Sequence, residues 1–249
     1  TVPSFFAACD LGHRLASSTL ADVRDDNALL VAMRRADPEV VIHLAAQPLV
    51  RYSYEAPVET FSVNVLGVVN LLEAVRHVPA VKAVINVTTD KCYENRDGGP
   101  PYREDEPLGG HDPYSSSKAC SELVTASYRR SWLAQRGVQV ASARAGNVIG
   151  GGDWAGDRLI PDFLRTLDSG LPLTVRSPGA TRPWQHVLEP LSGYLALAES
   201  LASSNESFAE AWNFGPEQSD ARPVEWIVER LCTRVPGATW CLDGNPHPH

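Results

Sequence analysis

Lysine is the scarcest charged residue in this sequence: arginine carries nearly all the positive charge, and only Lys82, Lys91 and Lys118 occur in 249 residues. Arginine stays protonated near neutral pH, so chemistry that needs an amine as proton acceptor points to one of these three. Basic residues are also outnumbered, 22 against 30 acidic, and the net charge of -8 argues against a nucleic-acid partner while leaving room for a local cationic pocket for one nucleotide. The five cysteines are odd in number and none forms a C-x-x-C, which suggests neither a disulfide framework nor a zinc site. His247 and His249, separated by one proline, make no complete ligand set, so no metal is expected. No apolar run approaches the ~20 residues of a membrane span, and Thr1 to Asp10 lacks the pattern of a signal peptide. The expectation is a cytoplasmic protein without a membrane partner. Internal repeats, low-complexity segments and a G-x-G-x-x-G turn are missing too.

What is present is enough apolar residue, 43%, for one large core or two coupled smaller ones. Apolar runs at 40–46, 81–89 and 138–150 alternate with two stretches of helical periodicity. In the first, Val58, Phe61, Val65, Val68, Leu72 and Val75 are predicted to share one face. The second opens at Asp112-Pro113, a good N-cap and first-turn pair, and stops near Gly137. Nearly continuous apolar strands joined by helices predict an α/β fold with a parallel sheet covered on both faces. Ligands of such sheets bind at the carboxyl ends of the strands. That rim holds Ala45, Ala46, Thr88, Thr89, Asp90, Asn147 and Gly150. Beyond residue 150 glycine and proline become frequent, and a helix from roughly 190 to 202 precedes a strand at 211–215. The expected division is a sheet domain over 1–150 and a smaller substrate-facing lobe over 151–249, with about 186–215 returning to the sheet.

Tyr114 and Lys118 lie four apart in the first turns of the second helix, on one face. A lysine there can favour tyrosinate and make the phenol a proton acceptor. The competing reading is an exposed pair on a solvated helix. Two of the three lysines fall at the strand rim, which favours chemistry. Residues 95–111, rich in Gly, Pro and charge, read as a lid between the strand end and the helix.

V-T-T-D-K at 87–91, Y-S-S-S-K at 114–118, H-L-A-A at 43–46 and N-V-L-G-V-V-N-L-L-E-A at 64–74 resemble the extended short-chain dehydrogenase/reductase superfamily. R-A-G-N-V-I-G-G-G-D-W at 144–154, R-P-W-Q-H-V-L-E-P at 182–190, W-N-F-G-P at 212–216 and the terminal H-P-H narrow the resemblance to the nucleotide-sugar 4,6-dehydratases, and among them to the group acting on CDP-glucose. The resemblance implies a Rossmann-type sheet, NAD as cofactor, a nucleotide-sugar substrate and a homodimer formed through helices near 58–77 and 113–136. It also implies a place in deoxysugar biosynthesis. Tyr114 would take the C4 hydroxyl proton, Lys118 would lower its pKa and hold the nicotinamide ribose, and Thr89 would bond the same hydroxyl. Asp90 would then act as acid at C6 and Lys91 as base at C5, where most relatives carry glutamate. Asp22, Val23, Ala45, Ala46 and Thr88 would join Tyr114 and Lys118 in holding NAD. Asn147, Arg158, Leu159, Arg182 and His247 would bind substrate.

The chain departs from that pattern at both ends. The first β-α-β unit, with the glycine-rich turn for the NAD pyrophosphate, and most of the carboxyl-terminal lobe are not in the sequence, which reads as an interior fragment. Alternatives are a dehydratase of dTDP-glucose or GDP-mannose, an epimerase or decarboxylase on the same scaffold, or an inactive NAD- or partner-binding remnant.

Overall fold

The computed structural model describes residues 4–96, 99–203 and 206–244. Its helices are α1 (Phe5–Ala8), α2 (Asp26–Ala36), α3 (Val50–Glu55), α4 (Pro57–Phe61), α5 (Gly67–Arg76), α6 (Pro113–Tyr128), α7 (Leu159–Ser169), α8 (Leu188–Ala202) and α9 (Val224–Arg234). The strands are β1 (Val40–His43), β2 (Ala83–Val87), β3 (Gln139–Ala145), β4 (Val148–Ile149), β5 (Leu173–Val175), β6 (Thr181–Pro183), β7 (Gln185–His186), β8 (Ala211–Phe214), β9 (Ala221–Pro223) and β10 (Trp240–Leu242).

The chain folds as two compact units. Leu15–Ala145 and Leu188–Phe214 make the sheet unit; Gly146–Val187, with residues 4–14 and 215–244, makes the smaller one. Residues 4–14 therefore group away from the sheet, unlike the expected 1–150 domain. A local contact explains it: Gly152, at φ +84, lies where any Cβ would collide with the Phe5 ring.

In the sheet unit four parallel strands run in the order β1-β2-β3-β8, with Ile42, Ile85 and Ala141 in one row. All seven residues of β3 are buried, as expected of a strand covered on both faces. The 138–150 run is not one strand. It breaks at Gly146-Asn147, and β4 pairs instead with β7 in the smaller unit. Leu71, Leu72 and Val75 of α5 pack with Val78, Val84, Leu133, Val138 and Val140 into the main core.

Helical phase is where the predicted face fails. Val68, Leu72 and Val75 are buried, but Val58 is 82% exposed and Phe61 is exposed as well, while polar Thr60 and Asn64 are buried in their place. A π-helical turn at Ser62–Leu66 separates α4 from α5. Its wider turn shifts the facing residues, so one unbroken 3.6-residue period does not describe the stretch. By length and composition Pro57–Arg76 could cross a membrane, contrary to the apolar-run expectation, yet 44% of its most apolar window is buried inside the protein. Its α5 part packs in the main core.

α6 forms as its sequence directs. The Asp112 carboxylate accepts from the Ser115 N–H at 2.9 Å, and Pro113 occupies the first turn. In the smaller unit Phe163 of α7, Leu173 and Val175 of β5 and Val228 of α9 form a separate core. There β5 pairs with β10, and β6 runs antiparallel to β9.

Candidate active site

The carboxyl end of β2 carries the candidate chemistry. Thr88 extends the ladder, its N–H donating to the Ala143 carbonyl at 2.8 Å. Its buried hydroxyl donates to the Glu122 carboxylate, so this side chain is directed into the fold. Thr89 caps a 3-10 turn, Asp90–Cys92. Its oxygen accepts from the Lys91 N–H at 3.4 Å and its hydroxyl donates to the Asp90 carboxylate at 3.2 Å. The capped turn leaves Asp90 half-buried and holds Lys91 exposed at the tip.

α6 packs against that turn. Tyr114 sits in its first turn, and its backbone N–H donates to Ser53 Oγ at 3.2 Å. Lys118 lies one turn on, only 6% exposed, with Nζ donating to the Val87 carbonyl at 3.2 Å. Burial lowers its pKa from the ordinary 10.5 to about 8, against the opposing pull of Glu122 and Cys92. That contact places Lys118 at the end of β2, next to Thr88. Thr89, Asp90, Lys91, Tyr114 and Lys118 therefore gather at one strand end.

After β1 the chain passes through Ala45, which is exposed, and Ala46, half-buried. Asn64 fixes this segment to α6: its side chain accepts from the Gln47 N–H at 2.8 Å and donates to Ser117 Oγ at 2.9 Å. Asp22 lies on an exposed turn paired with Arg24 at 2.5 Å, whose hydrogen bonds hold the carboxyl pKa down at about 2. Val23 packs so closely on Gly67 that a Cβ there would lie 2.8 Å away, and Asn70 donates to the Val23 carbonyl at 3.2 Å.

The predicted substrate residues lie in the smaller unit. Asn147 precedes β4, its carbonyl accepting from the Gln185 N–H at 3.0 Å. Arg158, before α7, donates to Asp153 at 3.3 Å, and Leu159 opens that helix. Arg182 sits mid-β6, in register with Arg222 of β9. His247 falls outside the described residues.

Sequence reasoning missed three features. His43, the first residue of H-L-A-A, is buried, its Nε2 has no hydrogen-bond partner among the described residues, and burial together with the Lys118 charge lowers its pKa to about 4. Arg222 carried no motif. Glu122 and Arg144 form a buried ion pair 22 residues apart, beyond any helical spacing rule.

The GDP-mannose 4,6 dehydratase family matches residues 13–209 of this chain. CDP-glucose 4,6-dehydratase of Salmonella typhimurium is 52% identical over the whole chain, which spans 71% of that protein. The chain belongs to the GDP-mannose 4,6 dehydratase family. Among solved structures, a double mutant of the dTDP-glucose 4,6-dehydratase DesIV of Streptomyces venezuelae with NAD bound is 27% identical at TM-score 0.73, over 90% of this chain and 66% of that one. A Thermus thermophilus UDP-glucose 4-epimerase in complex with NAD is 25% identical at TM-score 0.78, over 96% of this chain and 81% of that one. This family's α/β fold accounts for the parallel sheet and for the strand-end position of the clustered residues.

Proposed function

We propose that the protein dehydrates a nucleotide-diphosphate hexose, CDP-glucose to CDP-4-keto-6-deoxyglucose, as an NAD-dependent hydro-lyase. The observation that carries this reading is the Thr89-capped turn, which sets a carboxyl and an amine beside a Tyr-Lys pair at one strand end. The CDP-glucose assignment is supported by the 52% identity to the Salmonella enzyme.

The residues present fit the cofactor. Lys118 Nζ is a buried donor at the strand end, Asp22 is an exposed carboxylate whose partner Arg24 is exposed too, and Ala45 with Ala46 leaves backbone open to close approach. When bound, NAD would take up the hydride released at C4 and give it back at C6. Tyr114 accepts the C4 hydroxyl proton, helped by the positive charge of Lys118, while Thr89 holds that hydroxyl. Oxidation at C4 makes the C5 hydrogen acidic. Lys91 then removes it, and Asp90 gives its proton to the departing C6 hydroxyl, so water leaves across C5–C6; a proton exchangeable with solvent goes back from Lys91 to C5 as hydride reaches C6. Asp90 must be protonated for this and Lys91 neutral; water reaches Lys91 in the protein alone, so desolvation of the amine comes from bound sugar. Arg182 and Arg222, in register on adjacent strands, suit the diphosphate, since guanidinium forks bind phosphate oxygens in pairs.

A second copy of the chain is the proposed partner. Val58, Phe61 and Leu66 on the 57–76 helix and Leu123 on α6 are exposed apolar side chains, supporting a dimer through these helices. The cytoplasm is the proposed location.

Incubation with CDP-glucose, dTDP-glucose and GDP-mannose decides the reading. The expected product is a 4-keto-6-deoxy sugar from CDP-glucose. Conversion of dTDP-glucose alone would sink the nucleotide assignment, and a C4 epimer formed without loss of water would favour the epimerase reading.

A further inference from the structure

Beneath the Thr89–Asp90–Lys91 turn lies a buried pair with no part in the chemistry above. Glu122 of α6 and Arg144 of β3 meet at 2.9 Å, their side chains 3% and 4% exposed. Replacing such a pair by apolar side chains is often neutral or stabilising, so its presence asks for a reason other than stability. Its hydrogen bonds give one. The Glu122 carboxylate accepts from Thr88 Oγ1, from Ser142 Oγ at 2.6 Å and from Arg144 Nη2. The Arg144 guanidinium also donates through Nη1 to the Tyr93 hydroxyl at 2.8 Å and to the Glu104 carbonyl at 3.0 Å, and lies over the Tyr93 ring. Thr88 immediately precedes the turn, and Tyr93 comes directly after Cys92 at its far end.

One ion pair thus grips the chain on both sides of the turn. The grip extends outward from Tyr93, which stacks on Tyr102 at 4.8 Å and donates to Asn213 Oδ1 at 2.6 Å. Asn213 in turn donates to the Tyr102 carbonyl at 3.0 Å. Backbone bonds from Glu94 to Pro107 and from Gly109 to Cys92, both 2.9 Å, close the base of the segment expected to be a lid. Tyr114 and Lys118 are held by other bonds, to Ser53 and to the Val87 carbonyl.

We infer that Glu122 and Arg144 are positioning residues that fix the Asp90–Lys91 turn, and that they serve the elimination step selectively over the oxidation at C4. This inference rests on the dehydratase reading for its step assignment, while the clamp itself does not. A misplacement of about 1 Å can cost about a hundredfold in rate. The oxidation runs from α6 with Thr89 its one contact on the turn, next to Thr88, which Glu122 holds directly, so altering Tyr93 at the far end spares it. Glu122 also acts electrostatically on Lys118, so Tyr93→Phe is the discriminating variant and the charge-neutral E122Q/R144M double variant the stronger one.

The test measures three things on the full chain with NAD. The first is the rate of NAD reduction on mixing with CDP-glucose, the second is solvent deuterium incorporated at C5, and the third is amide exchange over 89–93 compared with 114–118. Tyr93→Phe is expected to slow C5 incorporation about tenfold with NAD reduction within about threefold, and to raise exchange over 89–93 only. E122Q/R144M should slow C5 incorporation by about a hundredfold, with the sugar KM within about twofold. An equal fall in both steps, or unchanged exchange over 89–93 in both variants, overturns the inference. A wild-type chain that dehydrates no nucleotide sugar overturns the dehydratase reading, and with it the step assignment, while the exchange result decides the clamp independently.

Discussion

Two of the three lysines of this chain stand at the same strand end in opposite surroundings. Lys118 is enclosed on a helix, donating to the Val87 carbonyl, and burial lowers its pKa to about 8. Lys91 sits exposed on a three-residue turn whose shape comes from the Thr89 cap. On the proposed reading identical side chains have different work: the enclosed amine supplies charge to a phenol, and the exposed one acts as the base once sugar covers it. On that reading the helix pair carries the oxidation, with Thr89 its one contribution from the turn, and Asp90 and Lys91 on the turn carry the elimination.

The comparison breaks most strongly at the helix. Tyr114→Phe should lower C4 oxidation by about a thousandfold, since a positioned general base contributes about 10²–10⁴, and with it every later step; single-turnover NAD reduction is the measurement. Arg182→Gln should raise the sugar KM by at least about tenfold with a smaller change in kcat, because a charged hydrogen bond to phosphate contributes about 1.5–3 kcal/mol; steady-state kinetics with CDP-glucose decides it.

Stability sharpens the same contrast. The unfolded chain holds the Lys118 proton up to about pH 10.5, the folded one only to about 8. Between these values the unfolded state binds more protons, so stability rises with pH there, and below pH 8 the full burial cost of about 3 kcal/mol stands. Lys118→Met should therefore stabilise the fold at pH 7 by about 1–3 kcal/mol, the loss of the Val87 hydrogen bond offsetting part of the gain, and should lack the rise above pH 8 in denaturant titrations. His43 supplies the acid-side counterpart. Its folded pKa of about 4 lies below the ordinary 6.5, so its contribution is complete above pH 6.5 and is lost as pH falls through 4, by up to about 3 kcal/mol. His43→Asn should flatten stability between pH 6.5 and 4, as monitored by thermal melts at matched salt.

Strands and helices were legible because apolar runs and caps are local signals: Asp112-Pro113 announces α6, and the runs at 40–46 and 81–89 contain β1 and β2. The motifs also singled out Thr89, Asp90, Lys91, Tyr114 and Lys118, which gather at one strand end. What sequence could not carry was phase and partnership. The π turn at Ser62–Leu66 leaves no compositional trace, so Val58 and Phe61 were expected on the core face that Thr60 and Asn64 occupy. Arg144 stands in a buried strand where a charge makes sense only with Glu122, 22 residues away. The 95–111 segment is fastened by hydrogen bonds without periodicity, which composition reads merely as a loop.

The division of labour is tested most directly by Lys91→Ala mixed with NAD and CDP-glucose in deuterated water. The account predicts NAD reduction at close to the wild-type rate and loss of deuterium incorporation at C5. Unchanged incorporation at C5 would contradict it.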